Sequence, residues 1–173
     1  MKRIFAISGS TKANSTNGLY IAAIIELLGN DFEVLSFPSI ADVPHFNPDL
    51  DLEHPPKAVA DLRLKIQQAQ GIIISTPEYA MGLPGSLKNL LDWTVSSASF
   101  SQKPVLALVA STQGEKAYQS IIDILTVIEA KLSAQLIPYA KSKINAEAVI
   151  TNSETLAALK STVTSFVASI ENG

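Results

Sequence analysis

The chain has 173 residues, 47% of them hydrophobic and 17% charged, with a net charge of −3 and no cysteine. That length suits one sizeable domain, spanning 1–173, and is short for two. The lack of cysteine excludes disulfides, thiolate zinc sites, iron–sulfur clusters and cysteine nucleophiles, and the lack of a basic block argues against nucleic acid or an anionic membrane as main partner.

Residues 4–7 form an apolar run that reads as a buried strand and is too short for a secretory leader. The run breaks into Ser8-Gly9-Ser10-Thr11-Lys12-Ala13-Asn14-Ser15-Thr16-Asn17-Gly18. An amphipathic helix is expected from Leu19, with Tyr20, Ala23/Ile24 and Leu27/Leu28 on one face and Gly29-Asn30 as its stop. Residues 32–37 alternate only partly, as an edge strand does. Five prolines between Pro38 and Pro56 make the next stretch a loop. It holds both histidines, His45 and His54, with no metal or triad partner in sequence. Pro56 can open a helix whose stripe is Val59, Leu62, Ile66 and Ala69.

Residues 72–74 read as a central strand, followed by a loop through Gly85. A helix from about Ser86 should turn Leu87, Leu90/Leu91 and Val95 inward. Residues 105–110 form another buried strand ending in Ser111-Thr112-Gln113-Gly114. The following helix carries Ile121, Leu125, Ile128 and Leu132 at helical spacing, and residues 134–138 make a short last strand. Thr151-Asn152-Ser153-Glu154 resembles a capping box for a final helix with Leu156, Leu159, Val163, Phe166/Val167 and Ile170 inward. No apolar stretch reaches membrane-spanning length, so a soluble, cytoplasmic protein is expected.

Five strands alternating with five helices predict an α/β fold: a flavodoxin-like three-layer sandwich around a five-stranded parallel sheet of order 2-1-3-4-5. The most apolar strands, the first, third and fourth, then lie at the centre. Their following loops gather at the carboxyl edge of the sheet, where open α/β sheets bind ligands.

The first of these loops has the chemistry of an anion site. Ser10, Thr11, Ser15 and Thr16 offer hydroxyls, Asn17 an amide and Lys12 a positive charge, ahead of a helix N-terminus. The competing reading is a polar loop in which Thr16 or Asn17 merely caps the helix. A dinucleotide fingerprint is excluded, because its second and third glycine positions fall on Thr11 and Asn14. The Gly-Lys-Ser/Thr of a triphosphate loop is missing too. Hydroxyls in place of glycines suit a terminal monophosphate, and FMN is the cofactor of that kind expected in such a sheet.

The second loop, Thr76-Pro77-Glu78-Tyr79-Ala80-Met81-Gly82-Leu83-Pro84-Gly85, is stiffened by its prolines. Gly82 and Gly85 are the positions expected to take positive φ or allow close approach. Tyr79 and backbone N–H groups can line a flat ring. Their alternatives are a partly buried aromatic and, for Glu78, a solvated or subunit-contacting carboxylate.

Together these motifs resemble the NADPH-dependent FMN reductase family of flavodoxin-like quinone, azo and chromate reductases. Gly9-Ser10-x-Lys12-x-x-Ser15-x-Asn17 is similar to the family's G-S-x-R-x-x-S-x-N loop, with lysine for arginine. Thr76-Pro77-Glu78-Tyr79 and Leu83-Pro84-Gly85-Ser86-Leu87-Lys88-Asn89-Leu90-Leu91-Asp92-Trp93 resemble its T-P-E-Y-N-x-x-x-P-G-x-L-K-N-x-x-D-W run. Val43-Pro44-His45-Phe46-Asn47-Pro48-Asp49 is similar to its loop after the second strand. The resemblance implies that Ser10, Lys12, Ser15, Thr16 and Asn17 hold the FMN phosphate. It also implies that Pro77, Glu78, Tyr79 and Ala80 line the isoalloxazine, while Ser111, Thr112 and Gln113 approach its other edge. Lys88, Asn89, Asp92 and Trp93 are expected to pack and cap.

The implied activity is FMN-dependent oxidation of NADPH or NADH with reduction of a quinone, azo compound, free flavin or metal oxyanion, by ping-pong hydride and electron transfer. No catalytic side chain and no metal is expected, since the flavin carries the chemistry. The partners implied are a small-molecule electron acceptor and a second or further copies of the chain, as homodimer or homotetramer. The alternative is a flavodoxin-type carrier that binds FMN without direct NAD(P)H oxidation. Three departures stand out: Lys12 lacks arginine's bidentate fork, Ala80-Met81 makes the second loop more apolar, and the third loop lacks paired glycines.

Overall fold

A computed structural model of the chain describes residues 1–51 and 53–172. Leu52, inside the expected loop, and Gly173, the last residue of the expected domain, lie outside the described residues. The strands are β1 (Lys2–Ser8), β2 (Phe32–Ser36), β3 (Gly71–Thr76), β4 (Pro104–Ala110) and β5 (Lys131–Ile137). The helices are α1 (Thr16–Leu28), α2 (Lys57–Gln68), α3 (Gly85–Asp92), α4 (Glu115–Val127) and α5 (Ser153–Glu171). All pairings are parallel and the order is β2-β1-β3-β4-β5, as the composition of the strands predicts.

The period of two along each strand divides the core between the sheet's two faces. Phe5, Ile7, Ile72, Ile74, Val105, Ala107 and Val109 pack with Val59, Leu62 and Ile66 of α2, Leu87 and Leu90 of α3, and Ile121 and Leu125 of α4. Ile4, Ala6, Ile73, Leu106, Leu108 and Ala110 pack with Tyr20 and Ile24 of α1 and with Leu159, Val163, Phe166 and Ile170 of α5. Strands β3 and β4 are buried along their whole length, which is why they read as continuous apolar runs. Strand β2 is half-exposed at one edge, as its broken alternation implies.

Four boundaries differ from expectation, each for a local reason. Helix α1 begins at Thr16 rather than Leu19, because Ser15 takes extended geometry and its side chain accepts the Gly18 N–H. The cap is therefore neither Thr16 nor Asn17. Val95 lies past the end of α3 and is 54% exposed, so it does not point inward. Leu132 belongs to β5 and not to α4: Glu129 adopts φ +61° after the helix, and Lys131 then enters the ladder opposite Pro104. At α5 the cap is Asn152, whose side chain accepts the Thr155 N–H at 2.8 Å; Thr151 of the expected box stays outside.

The long segment after β2 contains short 3₁₀ turns at Ile40–Asp42 and Pro48–Leu50. It is clamped by the second motif. Asn89 accepts the Phe46 N–H at 2.7 Å and donates to the Pro44 carbonyl at 2.9 Å, and the buried Trp93 donates Nε1–H to that same carbonyl at 2.8 Å. Phe46 meets the Trp93 ring edge-on at 5.0 Å. Arg63 of α2 bonds Asp51 and the Trp93 carbonyl from the other side. Lys88 pairs with Asp92 one turn on. The packing and capping roles expected of this run are met by Asn89 and Trp93, whereas Lys88 and Asp92 form a surface ion pair.

Candidate functional site

The loops after β1, β3, β4 and β5 surround a cleft of about 690 Å³ at the carboxyl edge of the sheet. Its lining includes Ser10, Lys12, Ser15, Thr16, Asn17, Pro77, Glu78, Tyr79, Ser111 and Thr112. Ten of the twelve residues singled out from sequence thus share one wall system. Ala80 and Gln113 lie just outside the lining, both exposed. A larger hollow of about 820 Å³ lies between the C-terminal halves of α1 and α5 at the opposite edge. It is lined by Leu27, Val163 and Val167 among others and belongs to the edge that open parallel sheets do not use for ligands.

At the first loop, Gly9 lies against β3. Its N–H donates to the Ser75 carbonyl at 2.7 Å, and a Cβ there would sit 2.4 Å from Thr76 Oγ1. Glycine is needed here for close approach, and it brings the first and second loops into contact. Beyond it, Ser10 and Lys12 are partly or fully exposed, and the first-turn N–H groups of α1 open toward the same side. Asn17 is different. Its buried amide donates to the Ala110 carbonyl at 3.3 Å and accepts the Ser75 hydroxyl at 2.9 Å, tying α1 to the ends of β3 and β4. Its side chain is engaged inside the protein, so what it offers a ligand is the backbone N–H of a first-turn residue. The donor set is then two serine hydroxyls, Thr16, one ammonium and helix-start amides, with no carboxylate in the loop. That chemistry fits a phosphate dianion.

Glu78 is half-buried and its carboxylate is engaged. Its carboxylate accepts the N–H groups of Lys116 and Ala117, each at 2.9 Å, and so caps α4 from another loop. The cap residue of α4 is Gly114, at φ +114°, which has no side chain to do this itself. The Glu78 N–H meanwhile donates to Ser111 Oγ at 3.2 Å. One residue thereby joins the second and third loops, with its charge at the positive end of the α4 dipole.

The second loop turns back on itself at Tyr79 and Gly82, which exchange two backbone bonds of 3.0 Å. Between them Ala80 (φ 48°) and Met81 (φ 60°) both take the left-handed conformation, the pattern of a type I′ turn. Sequence favours Gly82 and Gly85 for that conformation, and neither adopts it: the strained positions are alanine and methionine. Replacing Met81 by glycine is expected to stabilise the fold by about 1 kcal/mol in urea denaturation, since the side chain is 70% exposed and contributes little packing. A loss of stability would show that the methionine holds the turn.

The fourth wall, Tyr139–Ala146, is not marked by any motif in the sequence. It comes from the loop after β5, which includes a 3₁₀ turn at Ala140–Lys143. The signal for it was positional: a fifth parallel strand must end at the same edge as the others. Buried Tyr20 of α1 braces this loop, its hydroxyl donating to the Ala140 carbonyl at 3.0 Å. Burial pushes the Tyr20 phenol up to about 12 from an ordinary value of 10.0. The neutral form is favoured by folding, so this contribution is fully present below pH 10 and is lost as pH rises through about 12. Stability should fall by about 2–3 kcal/mol across that window. In Tyr20→Phe the alkaline fall should shrink, with about 1 kcal/mol lost at neutral pH from the unpaired Ala140 carbonyl. An unchanged alkaline slope in denaturation curves would refute this.

Among the described residues no group of three or more histidine and carboxylate side chains could hold a metal ion, and no helix is long and apolar enough to cross a membrane. The family described as NADPH-dependent FMN reductase matches residues 2–142. A quinone reductase of Escherichia coli K12 is 35% identical over 112 residues, covering 63% of this chain and 60% of that protein. The NADH:(hydroxy)cinnamate reductase subunit CrdA of Vibrio ruber is 31% identical over 138 residues, 77% of this chain and 66% of that protein. The matched segments thus span less than two thirds of these curated relatives. Among solved structures, the flavoenzyme NAD(P)H:(acceptor) oxidoreductase FerB from Paracoccus denitrificans superposes with a TM-score of 0.86 over 99% of this chain and 98% of that one. At 24% identity this is a likeness of fold.

Proposed function

Because the chain belongs to the NADPH-dependent FMN reductase family, we propose that it binds FMN in the cleft described above and passes electrons from NADPH or NADH to a small-molecule acceptor. A quinone is the acceptor class favoured, on the likeness to the E. coli quinone reductase; azo compounds, free flavin and metal oxyanions are further candidates. The observation that carries the reading is the joining of an anion-binding helix start to two hydrogen-bonded loops, through Gly9 and Glu78, in one cleft.

Ser10, Lys12, Ser15 and the first-turn amides of Thr16 and Asn17 would hold the phosphate. Pro77, Glu78, Tyr79 and Ala80 would line one side of the isoalloxazine, with Ser111, Thr112 and Gln113 at its other edge. When bound, the flavin supplies the redox chemistry, and no side chain in the cleft is required as acid or base. The protein's own part is to bind, orient and exclude water from one side of the ring. That leaves one open side for donor and acceptor in turn, the arrangement that ping-pong kinetics reports. The exposed Tyr79 and Met81, at 54% and 70%, support a homodimer or homotetramer built over this loop. A cytoplasmic setting and a single domain over 1–173 belong to the same proposal.

Lys12→Ala tests the site. It should weaken FMN binding by about 1–3 kcal/mol while leaving the weaker binding of riboflavin, which has no phosphate, unchanged. Equal losses for both ligands would remove Lys12 from the phosphate site.

A further inference from the structure

Tyr139 has the opposite profile to a core aromatic. It sits in the left-handed region at φ 52° and ψ 36°, where a bulky side chain is unfavourable and glycine or asparagine is the usual occupant. Its side chain is 65% exposed, so the strain is not repaid by burial in the core. The backbone is nevertheless held on every side. The Tyr139 N–H donates to the Thr112 carbonyl at 3.0 Å, and its carbonyl accepts the Ser142 N–H at 3.1 Å and the Ser142 hydroxyl at 2.8 Å. The next residue, Ala140, donates to the Ser111 carbonyl at 3.0 Å and is braced by Tyr20. These bonds hold the Tyr139 backbone at the wall of the cleft, next to the third loop.

We propose that Tyr139 is an aromatic platform against which a planar, electron-poor heteroaromatic or quinonoid ring packs. The inference rests on the FMN reading of this cleft and adds a residue to it. A phenol ring is electron-rich and offers a flat apolar face with a polar tip, which suits offset stacking on such a ring. Two sources share that chemistry, the flavin itself and the second substrate's ring. Strain held at an exposed aromatic in a ligand cleft is where a clamp is expected, because the surrounding bonds and not the side chain's own packing maintain it.

The test compares Tyr139→Gly and Tyr139→Phe with the unaltered protein. Thermal midpoint, FMN dissociation constant, and KM for 1,4-benzoquinone and for ferricyanide, an inorganic acceptor, are measured. Tyr139→Gly relieves the backbone strain and should raise the midpoint. It should also weaken FMN binding about fivefold if the flavin packs on the ring. If the substrate packs there instead, FMN binding is unchanged and KM rises about fivefold for the quinone but not for ferricyanide. Tyr139→Phe should preserve all three binding values. FMN affinity and both KM values unmoved in Tyr139→Gly would overturn the inference alone, as would a fall in its midpoint, which would mean that the ring supports the fold. An unaltered protein that takes up no FMN would overturn both this and the reading beneath it.

Discussion

Gly9→Ala is expected to destabilise the fold by about 3 kcal/mol and to weaken FMN binding more than any single change among the polar residues of the loop. The added methyl would stand 2.4 Å from Thr76 Oγ1, 2.6 Å from Thr76 Cβ and 3.0 Å from Thr76 Cα. The first two contacts are with a side chain that is itself buried, and the third is with backbone, so rotation of one hydroxyl cannot relieve them. The first loop must move off β3, stretching the 2.7 Å bond from Gly9 to Ser75. The phosphate donors move with it. Pairing Gly9→Ala with Thr76→Gly should recover part of the stability, because the two closest contacts are then gone. Urea denaturation and FMN titration on the single and double variants check this. A single variant with ordinary stability and affinity would mean that the loops do not depend on that contact.

The second large effect is expected at Glu78. Glu78→Ala removes the one carboxylate oxygen, Oε2, that accepts both 2.9 Å bonds from Lys116 and Ala117, and leaves the α4 N-terminus without a cap, since Gly114 cannot replace it. Two hydrogen bonds to a charged group at a helix start correspond to about 2 kcal/mol after allowance for partial exposure. FMN affinity should fall as well, because the side chain no longer ties the second loop to the start of α4; the bond to Ser111 uses the backbone N–H of Glu78 and remains. Glu78→Gln keeps an acceptor oxygen but not the charge, so it should retain about half the stability. If Ala and Gln variants bind FMN like the unaltered protein while both lose stability, Glu78 acts on α4 only. If neither property changes, the cap is of no consequence.

These two residues show what kind of information the sequence carried. Strands β3 and β4 were legible because burial on both faces leaves a continuous run of branched residues, and the order of the sheet followed from which runs were most apolar. The polar loops were legible because hydroxyls and an ammonium before a helix have few structural uses in that number. Glu78 was legible as a residue of interest but not in its role. Its partners lie 38 and 39 positions away, and no local pattern encodes a cap supplied across space. By its place in the loop the Asn17 amide reads as a ligand donor, and nothing in sequence reveals that Ala110 and Ser75 absorb it. Ala80 and Met81 defeated the ordinary rule that glycine takes the left-handed positions, and Tyr139 did the same behind β5. They are three of seven non-glycine residues with positive φ among the described residues, so the left-handed conformation is not by itself a mark of the cleft.

The claim that this cleft holds FMN and accepts electrons from a nicotinamide is tested most directly by an anaerobic absorbance titration of the FMN-loaded protein. NADPH and NADH are added separately with no acceptor present, and then a quinone is added. At least one nicotinamide is expected to bleach the flavin's visible band in the absence of acceptor, and the quinone to restore it. Failure of both nicotinamides to bleach bound FMN would rule out the reductase and leave a protein that carries flavin without oxidising NAD(P)H.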